Sequence, residues 1–132
     1  MAKGKFEISM TDGGNYTYRL LTVGGRVVTL GGEYKTLPVC KKGIASLRIN
    51  SDAPICDLTA EFSAERERAA TEKCPKIEIF AAEGGYGYCY RVRAKNGSEI
   101  ARGQVAGTKL RCLEAVETMK KIAFSAESEL NL

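Results

Sequence analysis

Apolar and polar residues alternate with a period of two in several short stretches, and with a helical period in two longer ones. Phe6, Ile8 and Met10 alternate with Glu7 and Ser9, which predicts a half-buried strand. Thr11 to Gly14 is a turn, because glycine supplies positive φ and Asp12 bonds back to nearby backbone. Tyr16, Tyr18 and Leu20 then share one face of a second strand. Thr17, Arg19 and Leu21 share the other. Val23 to Arg26 reads as a tight hairpin turn, and Val27 to Leu30 as a third strand with Val27 and Thr29 on the arginine side. From there the period lengthens. Leu37, Cys40, Ile44 and Leu47 make an apolar stripe, with Thr36 as N-cap and Pro38 in the first turn. Gly43 inside this helix costs up to about 1 kcal/mol relative to Ala, which predicts close packing of the helix on the sheet.

The same succession returns some 71 to 72 residues later. Ile77 and Ile79 match Phe6 and Ile8, and Tyr88, Tyr90 and Val92 match Tyr16, Tyr18 and Leu20. Asn96-Gly97 stands where Gly24-Gly25 stands and predicts a type I′ turn. Thr108 takes the place of Thr36. Cys112, Val116, Met119 and Ala123 form the second stripe, which Leu113 and Ile122 widen. The fold class is therefore α+β: two tandem β-β-β-α repeats with pseudo-twofold symmetry, an antiparallel sheet of about six strands, and two helices on one face. A repeat this small buries too little surface alone, so the two are expected to share one core. The boundaries are 1–52 for the first repeat, 53–75 for an acidic connector, and 76–132 for the second repeat with its tail. Within the connector, Ile55 to Leu58 reads as a short extended piece. Ser63 to Lys73 reads as a solvated helical turn or flexible linker with no apolar face. Phe124 to Leu132 is a tail, docked through Phe124 and Leu130.

Composition narrows the chemistry. The 132 residues carry a net charge of +4, no histidine and five cysteines. Without histidine the commonest general acid/base near neutral pH is absent. No Walker loop, G-x-S-x-G, G-x-G-x-x-G or H-E-x-x-H pattern occurs. The cysteines (Cys40, Cys56, Cys74, Cys89 and Cys112) are odd in number and lack a CxxC spacing. They read as free thiols in a reducing compartment, with neither a metal nor another cofactor implied. No apolar run reaches the roughly 18 residues of a membrane span, and the N-terminus lacks the apolar core of a signal peptide. A cytoplasmic location is expected. The first 51 residues hold 8 Lys/Arg against 3 Asp/Glu, an asymmetry milder than that of dedicated nucleic-acid binders.

Lys5 to Ile8, the Gly13-Gly14 turn, Tyr18 to Leu20, the Gly32-Glu33-Tyr34 segment and the helix from Cys40 to Ser51 resemble the YegP-like family. These are small bacterial domains of unknown function, usually in tandem. The resemblance covers both repeats and is strongest through Gly43 to Leu47. It implies a two-layer α/β fold with paired β-β-β-α units, and no activity, cofactor or catalytic residue. The second copy departs from the pattern. Leu113 to Val116 replaces the family's helix turn, and Gln104 to Ala106 replaces Gly32-Glu33-Tyr34. Any binding by that segment is therefore expected of the first repeat alone.

Two groups are candidate binding surfaces. Arg19, Arg91 and Arg93 fall on the sheet face opposite the tyrosines, where a phosphate backbone or a protein would be received. Glu33, Tyr34 and Lys35 sit at a strand-to-helix loop, where binding residues often lie. The expected function is a non-catalytic binding or self-association module with a protein partner or a second copy. The alternatives are nucleic-acid binding through the arginine face and a small cysteine- or carboxylate-dependent enzyme.

Overall fold

The computed structural model describes residues 4–132. Strands β1 (Lys5–Met10), β2 (Tyr16–Leu21) and β3 (Val27–Gly31) lead into helix α1 (Leu37–Asn50). Strand β4 (Ile55–Asp57) and helix α2 (Ser63–Thr71) follow. Strands β5 (Lys76–Ala81), β6 (Tyr88–Arg93) and β7 (Glu99–Gly103) then lead into helix α3 (Lys109–Ala123) and a last strand, β8 (Glu127–Leu130). The strands form one sheet in the order β4-β5-β6-β7-β3-β2-β1-β8. The expectation of about six strands thus becomes eight. All neighbours are antiparallel except the outermost pairs, β4 with β5 and β8 with β1. The α2 crossover joins β4 to β5, as a parallel pair requires, whereas β8 reaches β1 from the other β-β-β-α segment.

Helices α1 and α3 cover one face. Their stripes match expectation: Cys40, Ile44 and Leu47 on α1, and Cys112, Val116, Met119 and Ile122 on α3, are buried. They meet Phe6, Ile8, Tyr18, Leu20, Ile77, Ile79, Tyr90 and Val92 in one continuous core. Removing a side chain of this size from water stabilises the fold by about 1.5–3 kcal/mol. Thr36 and Thr108 cap the two helices by accepting the N–H of Val39 and of Arg111. The connector forms helix α2 on the opposite face. There the buried Lys76 donates its Nζ to the carbonyls of Ala69 and Ala70 at 3.0 and 3.1 Å. A cation at a helix C-terminus offsets the exposed carbonyls, so this otherwise polar helix docks through Ala69 and one lysine.

Two bulges correct the simple alternation. In β3 the partners of Leu20 and Leu21 are Thr29 and Val27, so Val28 is an extra residue; in β7, Ile100 is extra in the same way. The bulge reverses which side chains face the core. Thr29, expected beside the arginines, is instead fully buried, and its Oγ1 lies 2.6 Å from the Tyr90 hydroxyl. Tyr90 donates to the Val28 carbonyl at 2.8 Å, and Tyr18 donates to the Ile100 carbonyl at 3.2 Å. Each tyrosine reaches its acceptor by lying across a glycine of the neighbouring strand, Gly103 for Tyr90 and Gly31 for Tyr18. Both extra residues thus have a carbonyl bonded by a tyrosine from the other β-β-β-α segment.

The expected type I′ turn is also corrected. Neither Gly24 nor Asn96 has positive φ, whereas Gly25 and Gly97 have φ of 88° and 87°. The Gly25 and Gly97 N–H groups donate to the carbonyls of Thr22 and Ala94. This is a three-residue loop, a type I turn followed by a left-handed glycine. Phe124 and Leu130 are both exposed rather than docked, and the tail joins the sheet through backbone pairing of β8 instead.

Candidate functional site

The sheet face away from α1 and α3 carries Arg19, Arg91 and Arg93, and each has a carboxylate partner. Arg19 pairs with Glu7 across β1 and β2. Arg91 and Arg93 both donate Nε to Glu78 Oε1, at 2.7 and 2.5 Å, while Lys76 Nζ lies 3.0 Å from its Oε2. Burial raises the Glu78 pKa, but hydrogen bonds from Arg91, Arg93 and Lys76 outweigh it and bring it down to about 2. Arg91 and Arg102 also lie over the Phe80 ring, at 4.5 and 5.1 Å, and Arg102 pairs with Glu99. These arginines are held in place, and much of their charge is already met within the sheet.

Glu33, Tyr34 and Lys35 lie on the helix side and are not brought together with the arginines. Tyr34 pairs with Tyr16 through two backbone hydrogen bonds, of 2.6 and 2.7 Å. Its ring stacks on Tyr18, with centroids 6.3 Å apart and planes at 15°. It also explains Gly43, since a Cβ there would stand 2.3 Å from the Tyr34 hydroxyl oxygen. The helix glycine therefore makes room for the Tyr34 ring. Glu33 and Lys35 are exposed beside it.

The corresponding place beside α3 is built differently. Tyr88 bridges to Ala106 as Tyr16 bridges to Tyr34, so Ala106 holds the position of Tyr34. No ring fills the space, and Ala115 stands on α3 where Gly43 stands on α1. A cleft of about 690 Å³ opens here. One wall is Arg26 from the β2–β3 turn with Val27 and Val28 at the start of β3. The floor runs through the loop Gln104 to Thr108, and the far wall is the exposed side of α3, with Arg111, Glu114 and Ala115. Among the described residues neither Arg26 nor Arg111 has a carboxylate at salt-bridge distance. Reading the sequence missed this cleft. Its one signal, the replacement of Gly32-Glu33-Tyr34 by Gln104 to Ala106, was read as the loss of a site rather than the opening of one.

The four buried cysteines are not activated as nucleophiles. All five are free. Burial pushes up the thiols of Cys40, Cys56 and Cys89, and takes Cys112 to about 11. A thiol is nucleophilic as thiolate, and these are held protonated. Among the described residues no group of three His, Cys, Asp or Glu side chains is placed to hold a metal ion. None of their helices is long and apolar enough to cross a membrane.

No family model matches the chain. A UPF0339 protein of Methanosarcina acetivorans is 36% identical over 47 residues, which span 36% of this chain and 81% of that protein. In fold, the chain is similar to the solution structure of yegP from E. coli, a protein of unknown function. The TM-score is 0.74 at 21% identity, over 99% of this chain and 95% of that one. It is also similar to a UPF0339 protein of Shewanella oneidensis, with a TM-score of 0.72 at 14% identity, over 97% and 91% of the two chains.

Proposed function

The chain belongs to the UPF0339, YegP-like family, whose matched members are of unknown function, and we propose that it is a non-catalytic binding module whose ligand sits in the cleft beside α3. The observation that carries this reading is the contrast between its cationic surfaces. The sheet arginines already have carboxylate partners, whereas Arg26 and Arg111 flank a cleft of about 690 Å³ without one. That volume falls in the usual range for small-molecule sites, roughly 300–1,000 Å³.

Three further features support it. The chain has no histidine, the buried thiols are pushed up, and the carboxyls of Glu7, Asp57 and Glu78 are held below their ordinary range, so none of these groups is poised as a base near neutral pH. Five free cysteines fit a reducing compartment, which favours the cytoplasm. The β3–β7 register supports two fused copies, residues 1–52 and 76–132, related by a pseudo-twofold axis. Thr29 pairs with Gly103 and Gly31 with Ala101, and a shift of 72 residues exchanges these pairs while leaving Leu30–Arg102 on itself. Since 47 residues make up 81% of the archaeal relative, that protein has room for one β-β-β-α unit where this chain has two.

Chemical-shift mapping of the labelled protein against a fragment set and a single-stranded oligonucleotide tests this reading. Fragment-induced shifts at Val105 to Thr108 and Arg111 are expected. Salt-sensitive shifts confined to Arg19, Arg91 and Arg102 on adding the oligonucleotide would instead favour nucleic-acid binding on the sheet face.

A further inference from the structure

We infer that the cleft takes a small planar ring bearing a carboxylate or phosphate, an inference that rests on the cleft being the binding site. The first β-β-β-α segment shows what the architecture holds at this position. There the phenol of Tyr34 enters between strand and helix, stacks on Tyr18, and has glycine beneath it. In the second segment the backbone bridge is kept, Tyr88 to Ala106, but the ring is gone. The space is not closed by a neighbouring side chain; it is open as a cleft that both Ala106 and Ala115 line. Ala115 adds a methyl group where Gly43 has none, so a ring supplied from outside sits shallower than Tyr34 does.

Arg26 and Arg111 both line this cleft. Arg26 comes from the β2–β3 turn and Arg111 from the first turn of α3, so the cations stand on opposite walls. Glu114 is the one carboxylate in the lining, which leaves the cleft net positive. Val27, Val28, Val105 and Leu110 supply apolar wall, and Val105 and Leu110 are exposed at 62% and 67%. Apolar walls favour a ring, and two unpaired guanidiniums favour an anion with two or more acceptor oxygens. Carboxylate and phosphate both meet that description.

Nuclear magnetic resonance titrations with phenyl phosphate, benzoate, phenol, benzylamine and inorganic phosphate test the class. The backbone amides of Ala106 and Arg111 should shift with the two aromatic anions, and their relative affinities separate phosphate from carboxylate. Phenol and inorganic phosphate, each lacking one half of the ligand, should bind about tenfold or more weakly, and benzylamine weaker still. Replacing both exposed arginines, Arg26→Gln with Arg111→Gln, should weaken the aromatic anions about tenfold or more while leaving phenol unchanged. The pair Ala106→Tyr with Ala115→Gly, which rebuilds the filled arrangement, should abolish the shifts. Equal shifts from all five probes, or no effect of the arginine variants, would overturn the ligand class and leave the cleft as the site. No shift at the cleft from any probe at millimolar concentration would overturn both.

Discussion

Tyr18 and Tyr90 hold corresponding places but are bonded unequally. The Tyr90 hydroxyl reaches the Val28 carbonyl at 2.8 Å and Thr29 Oγ1 at 2.6 Å, while Tyr18 reaches Ile100 at 3.2 Å. Removing a hydroxyl that satisfies a buried carbonyl costs about 1–3 kcal/mol, and less where the bond is long. Tyr90→Phe is therefore expected to lower the urea-unfolding free energy by more than Tyr18→Phe, and equal losses would contradict the geometry. Glu78 makes a second prediction at this scale. Its folded pKa of about 2 lies below the ordinary 4.5, so the group stabilises the fold fully above about pH 4.5. That contribution, roughly 3 kcal/mol, is lost as pH falls through about 2. Acid unfolding followed by circular dichroism should show this loss. Glu78→Gln should flatten the acid limb while weakening the protein at neutral pH, because Lys76 is left buried without its partner.

The hairpin loops carry the prediction for single elements. Because Gly25 and Gly97 are left-handed while Gly24 and Asn96 are not, Gly97→Val should cost about 1–2 kcal/mol, whereas Gly24→Ala should be close to neutral. A type I′ turn would make both positions sensitive, so thermal denaturation of the pair discriminates between them. The elements also show what was legible in advance. The six long strands and both packed helices announce themselves because one face of each is apolar and the other polar. β4 is legible only as the short extended piece expected over Ile55 to Leu58, and β8, with four exposed residues, carries no usable alternation. Both join the sheet because another strand offers unpaired backbone, which no local pattern records. Thr29 was misplaced because a bulge reverses parity without changing residue types. The arginine face was placed correctly, but its neutralisation by Glu7 and Glu78 follows from cross-strand register, not from spacing along one strand. The cleft was hidden because it is made by a side chain that Ala106 lacks.

At the scale of the whole molecule, each helix is followed by a strand that completes the other segment. β4 leaves α1 and joins β5, and β8 leaves α3 and joins β1. The crossings are pinned by Arg48, which donates to the Ala126 carbonyl at 2.5 Å, and by Lys120, which donates to the Ala53 carbonyl at 3.0 Å. A chain ending at Ala123 should lose the β8 pairing and the Arg48 acceptor together, leaving the β1 edge bare. Lower thermal stability and concentration-dependent association are expected by light scattering, and an equally stable, monodisperse truncation would refute the account. The same crossing has a meaning in time. At typical translation rates β8 is made about 10 s after β1, so the nascent first segment must wait with its outer strand unpaired. β4, by contrast, is made before the strand it serves. β1 thus waits through the synthesis of six further strands before β8 covers its outer edge, and during that interval this open edge is what a chaperone would shield.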